Sequence, residues 1–444
     1  MPTVSATTHQ SPTGEPGTPA TPPSTAALRK RFRPLFDSIA AGAARREQDR
    51  RLPYDEVAAL KEAGFGALRV PEAYGGSAVS LRQLFVLLTD LAAADSNLTQ
   101  LWRGHFAFVE GTLLQPSSAH RDRWLFDIAA GAMVGNASSE LTGTSLRDIR
   151  TALTSPGPPG GAPTLTGTKY YSTGSLYADW IAGSALHDGE RVGYAVRATA
   201  PGVERIDDWD GFGQRLTGSG TTRFTDVRVD PGHVRSFSTD APTHVPAFFQ
   251  LVLVASLAGI ARAAAEDAAD FVRPRTRSYP TATTPLPRED PQVLQVVGEL
   301  GSRAFAADAV VLAAADLLDA AYGHLRAGRC TGGSTSGSTS GSDDGTDDGS
   351  DDDGPRARAA ARAAVDDADT AVSRAQLVAV AQSLRAATDL FEVGGASATS
   401  TGRALDRHWR NARTIASHNP AIYKARALGY QAVHGEREPQ PVGA

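Results

Sequence analysis

The stretch LDRHWRNARTIASHNPAIYKARALG (405–429) decides how the rest of the chain is read. It reads as a basic helix that runs into a break at Pro420. The residue before a proline is biased away from helical geometry, so Asn419 is expected at the break and His418 just inside it. A histidine there lies at the negative end of the helix dipole, which predicts that His418 is protonated.

The chain has 444 residues, 41% hydrophobic and 21% charged, enough for a large core and two or three domains. The formal charge of −5 misleads, because seven aspartates fall in GSDDGTDDGSDDDG (341–354). Without them the balance is +2, so no domain-wide basic bias points to nucleic acid. Cys330 is the single cysteine, which excludes an internal disulfide, and no Cys/His cluster has zinc spacing. This composition predicts a cytoplasmic protein without a metal site. The most apolar window, 245–261, is short for a bilayer and is read as a buried bundle helix, not a membrane span.

Organisation follows from periodicity. Residues 1–27 are rich in Pro, Thr and Ser and are expected to form a disordered tail. From 28 to 132 apolar residues recur at three- and four-residue spacing, predicting an α-helical domain. Between 133 and 240 short runs such as TLTGTKYYST, DWIAGSAL, RVGYAVRA and TTRFTDVRV alternate with turns, predicting a β-barrel or sandwich. Long alanine-rich amphipathic segments fill 241–435, as in a four-helix bundle, interrupted by a disordered Gly/Ser/Asp insert at 331–354. Residues 436–444 are a second tail. The fold class is α+β, mainly α, with a ligand expected where the domains meet.

Several segments carry candidate chemistry. In GNASSELTGTSLRD (135–148), Asn136, Ala137, Ser138 and Ser139 offer short side chains and backbone N–H groups, which suit the polar edge of a planar ligand or a solvated turn. GTKYYSTGSLYADW (167–180) contributes Lys169, Tyr170, Tyr171, Ser172 and Thr173, and also reads as a strand ending in a turn. Trp209 is a ring wall or a core tryptophan, with Thr217 and Ser219 downstream. Arg275 and Arg277, with Arg273, lie at a helix end and match phosphate geometry, or form a solvated face. In FEVGGASAT (391–399), the glycine pair before Ala396 and Ser397 allows close approach of backbone to phosphate, or caps a helix. His105 stands alone on an N-terminal helix.

Two segments together resemble a known family. The order Gly-Phe, then Pro-Glu-x-Tyr-Gly-Gly in AGFGALRVPEAYGG (63–76) resembles the N-terminal hallmark of the acyl-CoA dehydrogenase superfamily. The 405–429 stretch resembles the same superfamily's late helix, with His418-Asn419 where a dehydrogenase carries its catalytic glutamate. The run His-Trp-Arg-Asn-Ala-Arg-Thr and then Ser-His-Asn-Pro is similar to the reduced-flavin monooxygenases, typified by dibenzothiophene monooxygenase and the sulfone-utilisation oxygenases. The resemblance covers about residues 28–435.

It implies an acyl-CoA dehydrogenase-like fold, assembly as a homotetramer, and a two-component monooxygenase. Such an enzyme takes FMNH2, more than FAD, from a separate NAD(P)H:flavin reductase and uses O2 through a flavin C4a-hydroperoxide to oxygenate a small, organosulfur substrate. It also implies catalytic roles for His418, His105 and Ser172, and cofactor contacts from residues 136–139, 169–173, Trp209, Ser219, Arg275, Arg277, Ala396, Ser397 and His418. The absence of a G-x-G-x-x-G fingerprint agrees with a separate reductase. An FAD-dependent acyl-CoA dehydrogenase with another base, and a non-catalytic protein keeping the fold, are the alternative readings.

Overall fold

The computed structural model describes residues 23–141, 148–155, 162–236, 241–330 and 353–439. Helices come first: α1 (Thr25–Asp49), α2 (Tyr54–Glu62), α3 (Leu81–Leu113) and α4 (Ala119–Ala129). Eight strands follow among the described residues: β1 (Val134–Ala137), β2 (Ala152–Thr154), β3 (Thr164–Lys169), β4 (Trp180–His187), β5 (Glu190–Arg197), β6 (Val203–Arg205), β7 (Thr222–Arg228) and β8 (Val234–Ser236). They form one sheet in the order β6-β7-β3-β2-β4-β5-β8, with β1 parallel beside β4. Helices return as α5 (Val245–Val272), α6 (Pro291–Cys330), α7 (Asp353–Asp389), α8 (Asp406–His418) and α9 (Ala421–His434).

Two expected boundaries move. The N-terminal tail does not extend to residue 27, because Ser24 caps α1 by accepting from the Ala27 N–H at 3.2 Å. The insert ends before residue 354, since α7 already begins at Asp353. The remainder of both segments (1–22 and 331–352), with residues 440–444, lies outside the described residues.

Helix α5 is apolar enough by length and composition to cross a membrane, yet 78% of its most apolar window is buried within the protein. It is the central helix of the bundle. Leu251, Val252, Val254 and Leu257 pack in one core with Leu84, Leu88 and Leu91 of α3 and Leu318 of α6. Alanines on α6 (Ala307, Ala314, Ala315) and α7 (Ala368, Ala375, Ala379) let these helices approach closely.

Helix α3 breaks at Asp95, whose backbone is extended (φ −161°, ψ 108°). The Asp95 carboxylate accepts from the Asn97 N–H at 3.1 Å, as an N-cap does, and from Arg46 of α1 at 3.0 Å. The run Ala-Asp-Ser-Asn (94–97) is a capping sequence inside a helical period. The break lets the first half of α3 join the bundle while the second half lies on the β domain.

Candidate active site

Five elements close a ring where the domains meet. The second half of α3 reaches the β domain through two glycines. A Cβ on Gly104 would come within 2.9 Å of the Asn136 Cβ, and one on Gly174 (φ +80°) within 2.5 Å of the Leu101 carbonyl oxygen. The 172–174 turn is tied to β1, since Asn136 N–H donates to the Thr173 carbonyl at 3.2 Å. The same turn is tied to the 214–220 loop, because Ser172 N–H donates to the Gly220 carbonyl at 3.1 Å. That loop meets α8, where Asn411 Oδ1 accepts from the Gln214 N–H at 2.5 Å. Finally α8 returns to α3: Arg103 Nη1 donates to His418 Nε2 at 3.0 Å.

His418 ends α8 and Asn419 is extended (φ −132°, ψ 118°), as the following proline requires. The expectation of a protonated His418 is overturned. Desolvation by the surrounding protein, and then the Arg103 charge, push its pKa down to about 3. His418 as a whole residue stays exposed, with the Arg103 guanidinium against its ring. A guanidinium only donates, so Nε2 must accept and the proton sits on Nδ1. The helix dipole is too weak to reverse this. On the other side of the break, Asn419 donates to Gln250 Oε1 and its carbonyl accepts from Gln376 Nε2 at 3.1 Å. A cleft of 350 Å³ between α5, α7 and α9 adjoins these amides.

Ser172 has the feature expected of a ligand contact. Its hydroxyl is buried, with the residue 1% exposed, and has no hydrogen-bond partner. An unsatisfied buried hydroxyl costs about 1–3 kcal/mol, a cost that a ligand edge would remove. It follows Tyr171, which is held at φ +57°, a conformation uncommon outside glycine. Next to it, Thr173, Ser219 and Thr217 form a hydroxyl chain with O–O separations of 2.8 and 2.7 Å. Tyr171 and Trp209 lie 6.0 Å apart, and Trp209 Nε1 donates to the Gly213 carbonyl. Asn136 and Ser138 are half-buried and joined at 3.1 Å. Ser139 bridges to Tyr170, and the Ala137 carbonyl accepts from the Tyr194 hydroxyl.

Two expected site residues are engaged in the core. Both ring nitrogens of His105 bond to backbone: Nε2 donates to the Gly66 carbonyl at 2.9 Å, and Nδ1 accepts from the Val134 N–H at 3.2 Å. Fully buried, it has its pKa lowered to about 4, chiefly by desolvation. It locks α3 to β1 and has no nitrogen left for a substrate. Lys169, also fully buried, donates to Glu140 Oε1 at 2.7 Å and to the Ser138 carbonyl at 3.3 Å inside the β domain.

The phosphate-binding candidates form a separate group. Arg275 donates to the Val393 carbonyl at 2.8 Å beside the Gly394-Gly395 turn, while Arg277, Ala396 and Ser397 are exposed. They gather at the far end of α5, near Phe271. Phe249, whose carbonyl accepts from Arg103, is near its start, about 33 Å away at ~1.5 Å per residue. One chain therefore does not bring these two groups together. Arg103 and Phe249 were not recognised in the sequence. A charged residue among Leu98, Leu101, Trp102 and Phe106, on a helix buried nearly all round, was the available signal.

Residues 22–132 match the model of the acyl-CoA dehydrogenase N-terminal domain, and residues 353–421 match that of the acyl-CoA dehydrogenase C-terminal domain. A probable FMNH2-dependent monooxygenase of Pseudomonas putida is 27% identical over 91% of this chain and 94% of its own. The solved methanesulfinate monooxygenase of Pseudomonas fluorescens is 26% identical (TM-score 0.77), covering 94% of this chain and 99% of its own. The FMN-bound dibenzothiophene monooxygenase of Paenibacillus sp. A11-2 is 25% identical (TM-score 0.78), with the same two coverages, 94% and 99%. The unpartnered Ser172 hydroxyl and its neighbouring donors fit such a flavin. The chain is thus similar to the acyl-CoA dehydrogenase superfamily and, within it, to the FMN-dependent monooxygenases.

Proposed function

We propose that this protein is an FMNH2-dependent monooxygenase that oxygenates a small organosulfur compound. It receives reduced FMN from a separate NAD(P)H:flavin reductase, works in the cytoplasm and assembles as a homotetramer. The observation that carries the reading is the Arg103–His418 pair at the end of α8. Removing an α-proton from an acyl thioester needs a base, and His418, with Nε2 engaged and a pKa near 3, is a poor one. Neither Arg103 nor His418 has a carboxylate partner among the described residues.

When bound, reduced FMN supplies the two electrons that activate O2. The chain's own residues hold and shield it. Ser172 offers its free hydroxyl to the ring edge, with Asn136, Ser138, Thr173 and Ser219 beside it, and Tyr171 and Trp209 at the rim. His418 keeps a proton on Nδ1 as a neutral hydrogen-bond donor. Arg275, Arg277, Ala396 and Ser397 serve the flavin of a neighbouring copy, which accounts for their distance from His418 and supports the tetramer.

The test is turnover with FMN, a flavin reductase, NADH, O2 and a set of sulfur compounds (an alkanesulfinate, a dialkyl sulfone, dibenzothiophene). An oxygenated product coupled to NADH use is expected, and His418→Ala should lower coupling at least tenfold while the protein stays folded. Decay of reduced flavin to peroxide with every compound would overturn the reading.

A further inference from the structure

Four arginines are buried among the described residues, and one differs from the others. Arg121 is paired with Asp122 at 3.0 Å. Arg46 is paired with Asp95 and Glu56, both at 3.0 Å. Arg69 is paired with Glu110 at 2.6 Å. Arg103, only 4% exposed, has no carboxylate partner among the described residues. Its neighbours are all neutral: the Phe249 carbonyl at 2.8 Å, the neutral His418 ring at 3.0 Å, and the Phe249 ring face 3.4 Å from Cζ. Nη2 has no hydrogen-bond partner among the described residues.

A buried charge without a counter-charge is costly, and proteins pair such groups almost without exception. Here His418, which Arg103 touches, is an exposed residue, so the guanidinium lies one side chain below the protein surface. Phe249 beneath the guanidinium fixes its plane, and a planar fork of donors suits an oxyanion with two oxygens. An aromatic thiophene or a dialkyl sulfone would leave the charge uncompensated.

We propose that Arg103 is the receptor for an anionic substrate, and that the enzyme's substrate class is a small alkanesulfinate. The inference rests on the monooxygenase reading above. The reaction balances as one oxygen atom of O2 joining the sulfinate sulfur to give a sulfonate. The other oxygen leaves as water, with two electrons and two protons from reduced FMN.

The experiment compares kcat/KM for methanesulfinate, dimethyl sulfone and dibenzothiophene in the wild-type enzyme, Arg103→Lys and Arg103→Met. Methanesulfonate and FMN binding are measured alongside by calorimetry. The wild-type enzyme should favour methanesulfinate at least tenfold. In Arg103→Met the sulfinate-to-sulfone ratio should fall about 100-fold and methanesulfonate binding should weaken similarly, with Arg103→Lys retaining much of both. A wild-type preference for the neutral compounds would refute the proposal and leave the monooxygenase reading intact. So would an Arg103→Met protein that loses FMN affinity at an unchanged ratio, since the charge would then serve the flavin. Turnover of none of the compounds would refute both. If Arg103→Met fails to fold, the wild-type preference and Arg103→Lys still decide.

Discussion

Replacing Glu110 by glutamine keeps its shape and removes one charge from a site that ties three parts of the molecule together. Glu110, on α3, is fully buried and accepts from Arg69 Nε at 2.6 Å and from His244 Nε2 at 2.9 Å. His244 directly precedes α5, so this carboxylate sets where α5, and with it Phe249, begins. Burial alone would raise its pKa. The Arg69 charge and then His244 outweigh that and hold it at about 2, against 4.5 in an unfolded chain. The difference is worth about 3 kcal/mol at neutral pH, the lower end of the ~3–5 kcal/mol typical for breaking a buried pair. The sign follows from linkage. A depressed carboxylate stabilises fully above its unfolded pKa, and that stabilisation is lost as pH falls through the folded value. Glu110→Gln should therefore be about 3 kcal/mol less stable than the wild-type protein at pH 7 but only about 1 kcal/mol less stable at pH 3. Urea denaturation at both pH values measures the two gaps. A gap below about 0.5 kcal/mol at pH 7, or one that does not narrow in acid, would refute the reasoning.

Ser172→Ala should raise the stability of the flavin-free protein by about 1–3 kcal/mol, because it removes a buried hydroxyl that has no partner, yet weaken FMN binding about tenfold. Equal losses in urea stability and in flavin affinity would show that the hydroxyl is structural. Neither His418 nor His105 changes charge between about pH 5.5 and 8, so the pH profile of kcat/KM should lack a histidine inflection there. An inflection near pH 6–7 that disappears in His418→Gln would contradict this. His105, at about 4 folded against 6.5 unfolded, binds its proton more readily in the unfolded chain. Its contribution therefore makes the protein less stable as pH drops from 6.5 to 4, measurable as a fall in Tm that is shallower in a His105→Gln variant.

Periodicity exposed the order of helices, sheet and bundle, because a 3.6-residue or two-residue repeat survives in any one sequence. TLTGTK and DWIAGSAL became β3 and β4 at nearly the expected residues. The helix break at Asn419-Pro420 was legible for the same local reason, a steric rule between neighbours. The charge on His418 was not, since it depends on Arg103, which is 315 positions earlier in the chain. Lys169 and His105 looked available in the sequence because nothing local reveals that Glu140 or the Gly66 carbonyl already holds them. The capping sequence in α3 was local and readable, but the strong apolar period on both sides concealed it.

That interruption at Asp95 has a mechanical consequence. The bundle and the β domain share one helix, and the break within that helix is a single extended residue. A bend of α3 at that joint turns the two backbone torsions of Asp95 and pulls its carboxylate from Arg46. A buried ion pair thus acts as the latch on a hinge. Neutralising that latch, as in Asp95→Asn, should change how freely the two bodies move before it changes how either one is built.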